Sequence, residues 1–138
     1  MVKVNISNPK TGQSTQRDAS EEQRVVFAGK KIGSEVQLDS LGLNGVTGVI
    51  TGGSDKDGFP MRSDVKGVNR RKILLSGGTG LKNSTRGFRQ KKTVRGNTVT
   101  EETSQVNVRI KDEEAEKAKA FFEASTKKEP QEAKEAKK

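Results

Sequence analysis

The chain has 138 residues, 28% hydrophobic and 4% aromatic, with a formal charge of +9; so thin a core fits one small domain plus a tail, and the charge asks for a polyanionic partner. With neither cysteine nor histidine, disulfides, the usual zinc and transition-metal ligand sets and every Ser–His or Cys–His nucleophile pair are excluded. No apolar run approaches the roughly 18–20 residues of a membrane span, and the N-terminus lacks a signal-peptide core, so the expectation is a cytoplasmic protein with no cofactor, no small-molecule substrate and no membrane.

In chain order, Val2, Val4 and Ile6 alternate with Lys3, Asn5 and Ser7, the period of a half-buried strand. Asn8–Gly12 reads as a turn. Ser20 and Gln23 have capping-box spacing and Gly29 sits at a helix stop, which predicts one or two helical turns over 21–28 with Val25, Val26 and Phe27 on the buried side. Residues 46–51 and 71–76 read as strands, each followed by a glycine pair, and the two junctions lie 25 residues apart, as a degenerate duplication or by chance. Gly96-Asn97 is expected to be a tight turn between strands at 92–95 and 98–101. Val106, Val108 and Ile110 alternate again. Asp112 caps a predicted helix over 112–124 whose Ala115, Ala118 and Phe122 share a face. Residues 125–138 have no large apolar side chain and are expected to be disordered. The predicted fold is mainly β: a small barrel-like or sandwich domain over 1–111 with one short helical turn, then the helix and a charged tail.

The charge is unevenly placed. Residues 1–61 are neutral overall, residues 98–138 carry a net −1, and residues 62–97 carry +10. That middle segment holds Arg62, Lys66, Arg70, Arg71, Lys72, Lys82, Arg86, Arg89, Lys91, Lys92 and Arg95 against the single acid Asp64. A plainly solvated face mixes signs to limit self-repulsion, and this one does not. Its arginines suit phosphate forks, and its interspersed glycines let backbone N–H groups approach phosphate oxygens. Only Phe88 supplies an aromatic ring there, so folded RNA read by backbone and shape is favoured over stacked single-stranded bases.

Two motifs that invite chemistry fail on inspection. In Ser76–Lys82, Leu81 separates Gly80 from Lys82, which breaks the phosphate-loop order, and Asn83 stands where a dinucleotide fingerprint needs glycine. Asp55-Lys56-Asp57-Gly58 resembles the opening of a calcium loop, yet the twelfth position is Lys66 in place of glutamate. Asp55 and Asp57 are expected to accept local backbone N–H bonds in a turn. With no paired acids in an apolar setting, an enzyme is not expected.

The segment Ile50-Thr51-Gly52-Gly53-Ser54-Asp55-Lys56-Asp57-Gly58-Phe59-Pro60-Met61 resembles the signature of the S-six-e family, the eukaryotic and archaeal type of small-subunit ribosomal protein six. Its elements are an apolar residue, Ser or Thr, two glycines, an acid two positions on, and Gly-Phe-Pro-Met. Asn5–Gly12, Lys30–Gly33, Arg70–Ser76 and Arg89–Asn97 resemble further landmarks, so the likeness runs from about residue 3 to residue 110. The resemblance implies a β domain on the body of the small subunit, with small-subunit rRNA and neighbouring ribosomal proteins as partners. It also implies a structural Gly53–Met61 loop with Pro60 and Met61 packing its base, and rRNA contact through the basic segment. The long basic C-terminal extension of eukaryotic members is missing; the chain resembles the short archaeal form, and kinase regulation is not expected. A free-standing translation factor on a similar fold is the rival expectation.

Overall fold

The computed structural model describes residues 2–82, 85–111, 118, 121 and 122. A five-stranded sheet runs β2 (Ser14–Ala19), β1 (Val2–Ser7), β7 (Thr103–Ile110), β4 (Thr47–Asp55), β3 (Glu35–Gln37) in spatial order. Neighbours are antiparallel except β1 and β7, which are parallel, with Val4 beside Val106 and Ile6 beside Val108. The remaining strands, β5 (Arg70–Leu75) and β6 (Gln90–Arg95), form a separate antiparallel ribbon. The fold is mainly β, and the sheet curls into a half-barrel. It stays open because β2 and β3 are edges that do not pair with each other.

Alternation decides which face is buried. Val4, Ile6, Val106, Val108, Ile110 and Ile50 are fully enclosed and pack with Phe27, Val36 and Leu38. The short helix α1 (Glu21–Phe27) lies against this core. Ser20 N–H donates to the Gln23 side-chain oxygen at 2.9 Å, as the capping-box spacing predicts. Val25 departs from expectation: it is 73% exposed, while Phe27 takes the buried position. A two-turn helix can present only one narrow stripe inward, and Phe27 and half-buried Val26 fill it.

Three further differences have physical causes. The hairpin expected at Gly96-Asn97 is absent, because β6 pairs back with β5 and residues 98–101 form only a single bridge, Thr98 to Lys31. The two glycine pairs are not equivalent: Gly52 and Gly53 lie inside β4, whereas Gly77 and Gly78 follow β5 in the turn beyond it. Strand β2 was not expected; its sequence is polar, and backbone pairing to β1 after the Asn8–Gln13 turn holds it. The helix predicted over 112–124 falls mostly, and the tail over 125–138 wholly, outside the described residues. Of the former, Ala118 and Phe122 are buried in the core and Phe122 N–H donates to the Ala118 carbonyl.

Candidate nucleic-acid interface

Strand β4 is irregular where the signature segment begins. Its register with β7 shifts between Ile50 and Gly52 and again between Ser54 and Asp55, and such bulges re-aim side chains. Gly53 passes so close to β7 that a Cβ on it would lie 2.3 Å from the Gln105 carbonyl oxygen. The chain then turns at Gly58, whose φ of 82° is left-handed, and comes back antiparallel to itself. Asp55 N–H donates to the Phe59 carbonyl, Met61 N–H to Gly53, and Arg95 N–H to Pro60. The loop therefore stitches β4 of the sheet to β6 of the ribbon by backbone bonds, and Met61 is buried beneath it in the main core.

Asp55 is the hub of this junction. Its side chain is wholly buried and one oxygen takes Arg70 Nε at 2.6 Å and Arg95 Nη1 at 2.5 Å. The other oxygen accepts the Lys56 backbone N–H at 2.7 Å. Arg95, itself buried, also reaches Glu102 at 2.9 Å and donates to the Thr100 hydroxyl. Arg70 pairs with Asp57 at 2.6 Å, and its guanidinium lies over the Phe59 ring, 5.1 Å from the centroid. Burial pushes the Asp55 carboxyl up, but the hydrogen bonds from Arg70, Arg95 and Lys56 together outweigh it and hold the group below the ordinary aspartate range.

These contacts divide the eleven basic candidates. Arg70 and Arg95 are committed to carboxylates inside the protein. Arg62 pairs with Asp64 at 2.5 Å and donates to the Gly77 and Thr79 carbonyls, which ties down the turn after β5. Lys66, Arg71, Lys72, Lys82, Arg86, Arg89, Lys91 and Lys92 are exposed, and none has an ion-pair partner among the described residues.

The ribbon presents cations on both faces. One face packs Leu75 and Val94 over Val65, with Ile73 and Leu81 at the margin, and carries Arg71 and Lys92 at its edge. The other carries the anchored pair Arg70 and Arg95 at its root, then Lys72 opposite Thr93, and Lys91 opposite Leu74. Leu74 is 56% exposed, and Phe88 at the ribbon's far end is 36% exposed. Lys82, Arg86 and Arg89 lie in the connection between β5 and β6. Sequence reasoning missed the acid side of the junction: nothing local connects Asp55 with Arg95, forty residues on, or Arg95 with Glu102. Among the described residues no group of three or more acidic side chains is arranged to hold a metal, and no helix is long and apolar enough to cross a membrane.

The sequence matches the family model described as Ribosomal protein S6e over residues 2–123. Among curated relatives, the small ribosomal subunit protein eS6 of Methanocella arvoryzae is 44% identical over 108 residues, 78% of this chain and 76% of that protein. The protein of the same name from Halorubrum lacusprofundi is 42% identical over 108 residues, 78% of this chain and 80% of its own. That from Methanoculleus marisnigri is 39% identical over 120 residues, 87% of this chain and 91% of its own.

Proposed function

The chain belongs to the ribosomal protein S6e family, and from that premise we propose that it is a non-catalytic protein of the small ribosomal subunit that binds folded rRNA through the β5–β6 ribbon. The observation that carries this is the crowding of eight exposed cations without ion-pair partners into the ribbon, its approach and its connecting loop, against the single acid Asp64, while the other exposed cations without one, Lys3, Lys10, Lys31, Lys56 and Arg109, are scattered over the rest of the domain. Elsewhere on the domain acids and bases balance. Unpaired cations held on a two-stranded platform replace counterions along a phosphate backbone, and the affinity then falls steeply with salt.

In this arrangement Arg71, Lys72, Arg89, Lys91 and Lys92 meet phosphate, with Lys66, Lys82 and Arg86 at the flanks. Arg62, Arg70 and Arg95 shape the ribbon and leave RNA contact to the others. The signature residues Gly52, Gly53, Asp55, Gly58, Phe59, Pro60 and Met61 hold the ribbon's root. Residues 1–111 form the RNA-binding unit. Beyond residue 111, Ala118 and Phe122 add to the core of that unit. Neighbouring ribosomal proteins are the remaining partners, and the cytoplasm is the location.

The test is binding to small-subunit rRNA across a salt series, for the wild type and for a variant with Arg71, Lys72, Arg89, Lys91 and Lys92 changed to Gln. The log–log slope is expected to flatten by about 0.7–0.9 for each lost phosphate contact. Equal slopes for the two proteins would remove the ribbon from the interface. A transient translation factor would leave the small subunit in a moderate-salt wash, whereas the proposed constituent sediments with it.

A further inference from the structure

Among the described residues, two of the four exposed large apolar side chains lie off the ribbon. Val25 projects from α1, and Val68 precedes β5, 42% exposed. Each borders its own depression, and the two depressions share Thr100 and Glu101. The first is about 280 Å³ and is floored by Val2, Phe27, Val99 and Val106. That volume is at the bottom of the range for small-molecule pockets, roughly 300–1,000 Å³; with the adjoining shallow depression of about 520 Å³ it suits side chains inserted from a partner.

On this face, unlike the ribbon, unpaired acids outnumber unpaired bases. Glu21 and Glu101 line the first depression, Glu101 and Glu102 the second. Glu21, Glu22 and Glu101 have no ion-pair partner among the described residues. Of the cations present, Arg70 and Arg95 are held by Asp55, while Arg24 is tethered to the Glu101 carbonyl at 2.8 Å and keeps its charge, one against the three unpaired acids. That excess of acid favours a lysine- or arginine-rich polypeptide over phosphate. Apolar anchors within a charged rim are also the anatomy of a protein contact.

We infer that the Val25–Glu101–Val68 face is a protein-docking surface for a basic polypeptide segment that inserts apolar side chains beside α1. The partner binds here while RNA occupies the ribbon, so the two sites have separate determinants.

The experiment follows backbone amide shifts of the isotope-labelled full chain against three probes. These are a short peptide alternating lysine with leucine, an equally charged peptide with glycine for leucine, and a polyuridine oligonucleotide. The leucine peptide is expected to shift the amides around Val25, Val68 and Glu101 saturably, binding at least about tenfold tighter than the glycine peptide. The double variant Val25→Asp, Glu101→Lys, both on exposed positions, should abolish that response and leave oligonucleotide shifts on the ribbon unchanged. Equal binding of the two peptides, no response to the leucine peptide at this face, or oligonucleotide shifts centred there would each overturn the inference. The first two results do not bear on RNA binding by Arg71, Lys72, Lys91 and Lys92; the third bears on both sites, and the salt series with the ribbon variant separates them.

Discussion

The five-stranded sheet and the two-stranded ribbon are held by different forces. The sheet buries an unbroken set of aliphatic side chains from β1, β4 and β7, with Phe27 and Phe122 closing over them. Among the described residues the ribbon's buried cluster is Val65, Leu75 and Val94, and an isolated hairpin of that size is marginal in water. Its orientation comes from the Asp55 hub and from backbone bonds to the signature loop. Charge therefore has two uses within one strand pair. At the root, arginines are consumed to fix the ribbon; a residue or two further along, cations stay free for a ligand. Arg70 and Arg71 are adjacent in sequence, yet the strand alternation sends them to opposite faces and opposite roles.

That division is open to direct attack. The largest effect is expected from Asp55→Asn, which leaves buried Arg95 without its main counter-charge and should cost about 3–5 kcal/mol of stability. Denaturant unfolding measures it, and a change within error of zero would show that the hub is ornamental. Phe27→Ala removes a fully buried ring from the sheet's core, at about 3–5 kcal/mol. It should leave the rRNA salt slope of the remaining folded protein untouched, whereas Asp55→Asn should weaken rRNA binding even where the protein is folded.

Gly53→Ala forces a methyl group against the Gln105 carbonyl, for about 1–3 kcal/mol, and thermal unfolding should show the loss. Acid acts on the same junction. The Asp55 carboxyl titrates lower when folded than when unfolded, so its stabilisation is complete above the unfolded value near 3.8 and fades as pH falls through the folded value. The wild type should therefore lose stability on acidification below that point more steeply than Asp55→Asn, as unfolding at a series of pH values would reveal. The smallest effect separates the neighbours: Arg71→Gln should flatten the rRNA salt slope by about 0.7–0.9, and Arg70→Gln should change it far less.

Much of this was legible in the sequence, for reasons visible in particular residues. Strands β1, β4, β5 and β7 announce themselves by apolar alternation or runs, and α1 by its capping spacing. Strand β2, Ser14-Thr15-Gln16-Arg17-Asp18-Ala19, carries almost no apolar signal because it is an edge held by main-chain bonds. β3 is too short to show a period at all. The partner of β6 was mistaken because a glycine–asparagine pair is a strong local turn signal. Gly96 has a different duty: a Cβ there would run into the Gly67 carbonyl, so the glycine permits two backbones to touch. At the candidate interface, the excess charge was plain, but its partition was not. Which arginines are spent on Asp55 depends on contacts 15 and 40 residues apart in the chain. The local part was readable, since Asp55 does accept the N–H of Lys56 as a turn aspartate should.

The parallel pairing of β1 with β7 sets a schedule for folding. Asn5 meets Asn107, 102 positions later, so the centre of the sheet joins the beginning of the domain to its end. During synthesis the β1–β2 hairpin emerges with its apolar face and one edge unpaired, and in the finished sheet that edge is taken by β7. The domain therefore folds late and comparatively slowly, as topologies dominated by distant contacts do. Until β7 has been made, the nascent chain presents an open strand edge that needs shielding from other chains.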